Sequence, residues 1–166
     1  MVARASNCRS ASWHRVCRGR SCGDRALVIE VGVAFLVRDE GDRVLLHRRD
    51  EDDGWSPPSG TLQGGEKIGA ALEREIEEET GLCVQMVRLV AIHSDPEHQI
   101  IRTTDGQLTH FITCVFTCRR THGELRPNGE AQEWGWFDPA ELPKLTDFAR
   151  AYLGDAFAER NEVVVR

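Results

Sequence analysis

The sequence predicts an α/β (α+β) fold: a single domain in which helices flank a mixed β-sheet. Three observations predict it. Short apolar, β-branched runs recur between residues 27 and 137. Stretches with helical spacing interrupt and follow them, which argues for a mixed sheet rather than a sandwich of strands alone. The chain has 166 residues, 40% hydrophobic and 29% charged, a length and balance suited to one domain with its own core.

Residues 1–24 read as a disordered basic tail, because they are rich in Arg, Ser and Cys and lack hydrophobic periodicity. Three readings stand for it: a tail without function or created by the choice of start site, a transit-like segment, or a zinc site from Cys8, His14, Cys17 and Cys22. No CxxC spacing supports the last. The folded domain is expected over 25–166. Residues 27–37 read as a first strand. Residues 43–48 read as a second, after a turn at Gly41-Asp42. The stretch 50–60 reads as a loop, since Pro57 and Pro58 exclude regular structure. Residues 68–80 carry the clearest helical pattern, with Gly81 placed to cap the C-terminus. Further strands are expected at 82–92, 108–118 and 133–137, with a polar loop over 93–106 and a turn region over 122–129. A short helix is expected from Asp138-Pro139, and a final one over 146–160.

The net charge of −6 argues against a general nucleic-acid binder, and no apolar run is long enough to span a membrane. The acidity is concentrated beyond the tail, since the stretch Met1–Arg25 holds six Arg and one Asp. An acidic protein that binds polyanions needs metal ions to mediate the contact. The N-terminus lacks the apolar segment of a signal peptide, and Cys83, Cys114 and Cys118 sit in strand-like runs, so reduced thiols and a cytoplasmic setting are expected. Cys114 and Cys118 share one strand face and read as core.

The helix at 68–80 carries the chemistry. With Glu75 at zero and ~100° per residue, Glu79 falls at about 40° and Glu78 at about −60°. Ile68, Leu72 and Ile76 fall at about 20°, 60° and 100°, so the acids lie beside the apolar stripe. Glu73 and Glu77 point toward water. Clustered like charges near a helix C-terminus are unfavourable on their own. Arg74 at i,i+4 from Glu78 offsets part of this. The remainder suits a hard cation such as Mg²⁺, which takes a few carboxylate oxygens and completes its shell with water and phosphate.

These residues form a larger pattern: Gly60, five residues, Glu66, seven residues, Arg74-Glu75-Ile76, one residue, Glu78-Glu79, one residue, Gly81-Leu82. The pattern resembles an intact Nudix box. Identities at this spacing would arise by chance on the order of once in 10⁸ starting positions. A looser resemblance runs from Val31 to Pro143, through Arg43-Val44-Leu45-Leu46 and Trp136-Phe137-Asp138-Pro139. One departure is Ser59-Gly60, where many members carry a Gly pair.

The resemblance implies an α/β/α sandwich around a mixed sheet. It implies hydrolysis of a nucleoside diphosphate linked to another group, with Mg²⁺ or Mn²⁺. By position, Glu75 and Glu79 resemble the main metal ligands, Glu78 a ligand or base, and Glu66 a box acid that supports the metal. Arg74 resembles the residue that orients the glutamates, and Gly60 and Gly81 the turn glycines. Glu133, three residues before Trp136, resembles a late-loop catalytic acid, with Glu130 the runner-up and an exposed acid before a strand as the plain alternative for both. The base is expected among Glu78, Glu79 and Glu133.

Arg48 and Arg49 are candidates for phosphate contact, with a solvated strand end as the plain alternative. Trp55 reads as packing on the sheet, and Trp134 and Trp136 as core with one aromatic lining the cleft. His93, His98 and His110 read as ordinary polar residues. Pro96 in Ser94-Asp95-Pro96 follows Gly81 at a spacing that resembles the ADP-ribose-cleaving branch. A MutT-like triphosphate pyrophosphohydrolase is the competing expectation. A non-catalytic nucleotide sensor is disfavoured because the box glutamates are all present. The expected partner is a nucleotide-like small molecule, not a nucleic acid or membrane. A homodimer is an analogy to the family.

Overall fold

The computed structural model describes residues 27–49, 54–103, 106–126, 129, 131–158 and 160–166. The expectations for residues 1–24 and for Glu130 lie outside the described residues.

Strand β1 (Val28–Arg38) lies near the centre of the sheet. It pairs antiparallel with β2 (Val44–Arg48) and β3 (Ser59–Thr61), and parallel with β6 (Leu108–His122). The parallel partner is reached through helix α1 (Ile68–Thr80), β4 (Cys83–His93), the single helical turn α2 (Pro96–Gln99) and β5 (Ile100–Arg102). After β6 come β7 (Glu133–Phe137), helix α3 (Asp147–Phe157) and β8 (Val164–Val165). The main strand order is β7-β2-β1-β6-β4-β8, with β3 paired to β1 and β5 to β6. Since β1·β6 and β4·β8 are parallel and the other pairs antiparallel, the sheet is mixed.

Helices cover both faces, which is why β1 is an almost unbroken apolar run. Its side chains alternate between two cores. Val33, Phe35 and Val37 pack with Ala71, Leu72 and Ile76 of α1, and Ala34 and Leu36 pack with Ala149, Tyr152 and Leu153 of α3. Leu72 and Ile76 are fully buried, a contribution of about 1.5–3 kcal/mol each. Cys114 and Cys118 are buried in the α1-side core, and burial pushes the Cys118 thiol up to about 12. Cys83, Cys114 and Cys118 are free thiols.

The α1 bounds match the expectation, and Gly81 closes the helix in the left-handed region (φ 70°) with its N–H donating to the Glu77 carbonyl. Four expectations are corrected. Ser59-Gly60 belong to a strand, because pairing with Val33 and Ala34 follows immediately after the two prolines. The stretch 93–106 holds α2 and β5: Asp95 accepts the Glu97 N–H and Pro96 occupies the first turn, a local start signal. Asp138-Pro139 begin a turn rather than a helix, with the Asp138 carboxylate accepting from the Ala140 N–H and its carbonyl from the Glu141 N–H. His122 ends β6 instead of opening a turn. Trp55 packs edge-on against Phe137 at 4.7 Å, as expected of a sheet-packing residue.

Candidate active site

The first device in the site is a small residue under a carboxylate. Because β3 pairs with β1, Gly60 lies opposite Val33 and directly beneath Glu75 of α1. A Cβ at Gly60 would overlap Glu75 Cδ, so any other residue would displace that carboxylate. One strand position along, the Thr61 N–H donates to Glu75 Oε1 at 3.2 Å. Glu75 is therefore located by backbone from one side.

Arg74 locates it from the other. The guanidinium reaches Glu75 Oε1 at 2.9 Å, Glu78 Oε2 at 3.2 Å and the Thr61 carbonyl at 3.3 Å. It also forks onto Glu66, Nε to Oε1 at 2.9 Å and Nη2 to Oε2 at 3.0 Å. This bidentate geometry is the strong form of the contact. Hydrogen bonding to Glu66, then to Glu75 and Glu78, raises the Arg74 pKa, so the hub is charged throughout. The same fork, then the Gln63 N–H, holds the Glu66 carboxyl below its usual range.

Glu79 is buried at the helix end, with Arg49 Nη2 3.5 Å from its Oε1. A cleft of about 620 Å³ opens here, at one end of the sheet. Gly60, Glu75, Glu79, Arg49 and His47 line it, together with Ile101, Phe111 and Phe148. His47 is buried against Trp134, and its burial, then the nearby Arg49 charge, lowers its pKa to about 4, so the ring is neutral at pH 7.

The wheel placed Glu75, Glu78 and Glu79 on one face, and the structure divides them. Glu75 and Glu79 line the cleft, while Glu78 is exposed and turned to Arg74. Both oxygens of Glu66 face Arg74, so it stands behind the guanidinium and not on the cleft wall. Arg48 and Arg49 part company as well. Arg49 lines the cleft, whereas Arg48 pairs with Glu133 at 2.5 Å across β2 and β7. Glu133 is therefore not brought to the cleft. Trp134 and Trp136 pack in the α1-side core, and neither lines the cleft; Phe111, Phe148 and Tyr152 line it instead. His110 lies against the Ser94 carbonyl and His93 against Asp155, while His98 lines the cleft.

Among the described residues no three His, Cys, Asp or Glu side chains converge as a ready metal cage. The donor set still fits a hard cation of the Mg²⁺ type, which needs one or two carboxylates and takes its remaining ligands from water and phosphate. The cradle at Gly60 is the specific sign, since it keeps a carboxylate where a side chain would otherwise fill the space.

The model of the NUDIX domain matches residues 28–156, which span the sheet from β1 through β7 and most of α3. This chain belongs to the Nudix hydrolase family. The archaeal ADP-ribose pyrophosphatase of Methanocaldococcus jannaschii is 33% identical over 117 residues, 69% of this chain and 65% of that protein. The RNA pyrophosphohydrolase of Novosphingobium aromaticivorans is 32% identical over 130 residues, 69% of this chain and 80% of that protein. Among solved structures, a MutT Nudix hydrolase from Burkholderia pseudomallei has a TM-score of 0.62 at 27% identity, covering 76% of this chain and 97% of that one. The chain thus spans just under two thirds of the archaeal relative's length. Nudix hydrolases generally need a divalent metal and generally act on small nucleotide substrates. Among the described residues no helix is long and apolar enough to cross a membrane.

Several residues of the Nudix cleft escaped the sequence reading: His47, Gln99, Phe111, Thr113, Phe148 and Tyr152. Only the Pro96 loop gave a signal for any of them, because α2 begins at that proline and delivers His98 and Gln99 to the cleft.

Proposed function

We propose that this chain is a divalent-cation-dependent pyrophosphohydrolase that cleaves the phosphoanhydride bond of a nucleoside diphosphate linked to another moiety, of the ADP-ribose or nucleotide-sugar type. The carrying observation is Glu75, seated over Gly60 and held by Arg74 and the Thr61 N–H on the wall of a nucleotide-sized cleft. Glu75 and Glu79 would hold the cation, Mg²⁺ with Mn²⁺ as substitute. When bound, such an ion makes water a nucleophile at neutral pH and offsets charge on the phosphoryl oxygens.

The chain's own residues do the rest. Arg49 meets the phosphate charge in the cleft. Arg74, braced by Glu66, keeps Glu75 in register. Water attacks one phosphorus, the bridging P–O bond breaks, and the proton passes to a carboxylate. Of the candidate bases, the cleft wall contains Glu79; Glu78 and Glu133 face Arg74 and Arg48 outside it. The substrate preference is supported by the archaeal relative's name and by the placement of α2 at the cleft. The MutT-like reading has its own support in the Burkholderia structure.

Product identity decides between them. ADP-ribose, nucleotide sugars, dinucleoside polyphosphates and nucleoside triphosphates are incubated with Mg²⁺ or Mn²⁺. AMP and ribose 5-phosphate support the first reading, and pyrophosphate released from a triphosphate supports the second. Glu79→Gln should lower turnover by at least ~10²-fold with the circular dichroism spectrum unchanged. Full metal-dependent activity in that variant would sink the assignment.

A further inference from the structure

Beyond the glutamates, three polar side chains from three different elements meet in the cleft wall: Gln99 of α2, Thr113 of β6 and Tyr152 of α3. Their exposures are 5%, 6% and 4%. Thr113 Oγ1 donates to Gln99 Oε1 at 2.8 Å, and Gln99 Nε2 donates to Tyr152 Oη at 3.0 Å. Tyr152 Oη lies 3.3 Å from Gln99 Oε1. Phe111, Phe148 and Ile101 line the cleft beside them. The apolar part offers stacking area, which any base satisfies equally. His98, Arg102 and Thr103 also line the cleft, and the trio is distinguished from them as three buried side chains bonded to one another.

A buried amide usually has one orientation, because its neighbours are fixed donors or fixed acceptors. Here both neighbours are hydroxyls, and a hydroxyl is donor and acceptor alike. If the Gln99 amide flips, so that Nε2 and Oε1 exchange places, Nε2 donates to Thr113 Oγ1 and Oε1 accepts from Tyr152 Oη. Both contacts survive once the two hydroxyl hydrogens rotate. An amide N–H remains for a ligand in one state and a carbonyl lone pair in the other. A carbonyl on a base calls for the first and an exocyclic amino group for the second.

Resting on the nucleotide reading of the cleft, we propose that Gln99, Thr113 and Tyr152 form a polarity-reversible reader of the nucleobase, which binds keto- and amino-bearing bases with similar strength. Gln99 is the specificity-determining residue, and the two hydroxyls are the positioning groups that let it reverse. Fixing the polarity of residue 99 should convert a tolerant site into a selective one. A carboxylate there only accepts, so Gln99→Glu should favour amino bases.

The test measures binding of four nucleoside monophosphates by calorimetry, with no turnover required. UMP is compared with CMP, and IMP with AMP, since guanine carries both a carbonyl and an amino group. In the unaltered protein each pair should agree within a few fold. Gln99→Glu should shift both pairs toward the amino base by about tenfold, the scale of one hydrogen bond. Gln99→Met, which keeps the volume and removes the polarity, should weaken all four severalfold while leaving the ratios near one. The inference is overturned by a tenfold preference within either pair in the unaltered protein, by unchanged ratios in a folded Gln99→Glu, or by unchanged affinities in Gln99→Met. That last result with a lowered melting temperature would mark the trio as structural alone. If none of the four binds, the nucleotide reading of the cleft falls and this inference falls with it.

Discussion

At the scale of single residues, the site depends on what is missing as much as on what is present. Gly60 is required for space: its φ is not in the left-handed region, yet a methyl group there would overlap Glu75. Gly60→Ala should therefore move the carboxylate by about an ångström without unfolding β3. A displacement of that size costs on the order of 10²-fold in rate. We expect kcat/KM to fall by about that factor, with the apparent cation requirement rising and the melting temperature changing little. Unchanged kinetics would show that Glu75 does not need its observed position. The same residue-level logic separates Glu75 and Glu79 from the other acids of α1, since only these two line the cleft.

At the scale of elements, α1 is tied to the β3 segment by Arg74. The guanidinium joins Glu66 before the helix, the Thr61 carbonyl on β3, and Glu75 and Glu78 on the helix itself. Helix packing through Leu72 and Ile76 sets the distance of α1 from the sheet, and Arg74 sets the direction of its acidic edge. A lysine carries the charge but cannot reproduce the fork. Arg74→Lys should therefore keep the helix content and lower kcat at saturating substrate by about 10-fold or more, the scale of one lost charge-assisted hydrogen bond. Kinetics across a cation titration check this. Recovery of full kcat at high cation concentration would mean that Arg74 serves binding of the ion alone. The loop around Pro96 matters at this scale too, because α2 converts a polar stretch into a cleft wall.

At the scale of the molecule, α1 and α3 cover opposite faces of one sheet, and the cleft opens at the sheet's end between elements from both layers. His47 is buried at that end, which links stability to pH. Its pKa is about 4 in the fold against 6.5 in an unfolded chain, so below pH 6.5 the unfolded state binds the extra proton. The native state keeps its full advantage above about pH 6.5 and loses it progressively down to about pH 4, by up to about 3 kcal/mol. His93, whose pKa burial also lowers, adds a loss of the same sign. Melting temperatures measured between pH 4 and 7 should fall less steeply for His47→Asn than for the unaltered chain. Parallel curves would exclude His47 as a source of the slope. We also propose that residues 25–166 form the catalytic unit. Removal of residues 1–24 should leave kcat/KM unchanged within a factor of about two, measured on the best substrate of the panel.

The fold class, the strands β1, β2, β4, β6 and β7, α1 to its last residue and the acidic edge of that helix were legible in sequence, whereas the short strands β3, β5 and β8 were not. Each legible feature is written in a local period or a local cap: alternation or apolar runs for strands, a 3.6-residue wheel and Gly81 for the helix. The box at Gly60–Leu82 was legible for the same reason, because its whole spacing lies within one short, continuous stretch of chain. Non-local contacts decided the rest. Arg48 and Arg49 are indistinguishable in sequence, and only the register of β2 with β7 sends one to Glu133 and leaves the other in the cleft. Glu66 and Glu75 were both expected to serve the metal, and only the structure shows that Arg74 takes both oxygens of Glu66 while Gly60 makes room for Glu75. Gln99, Thr113 and Tyr152 come from three separate elements, and nothing local marks them as neighbours. The sequence by itself determined which carboxylates stand together, because one helix turn brings them to a common edge. Which of them face the cleft, and what stands opposite them there, is decided by how the layers pack.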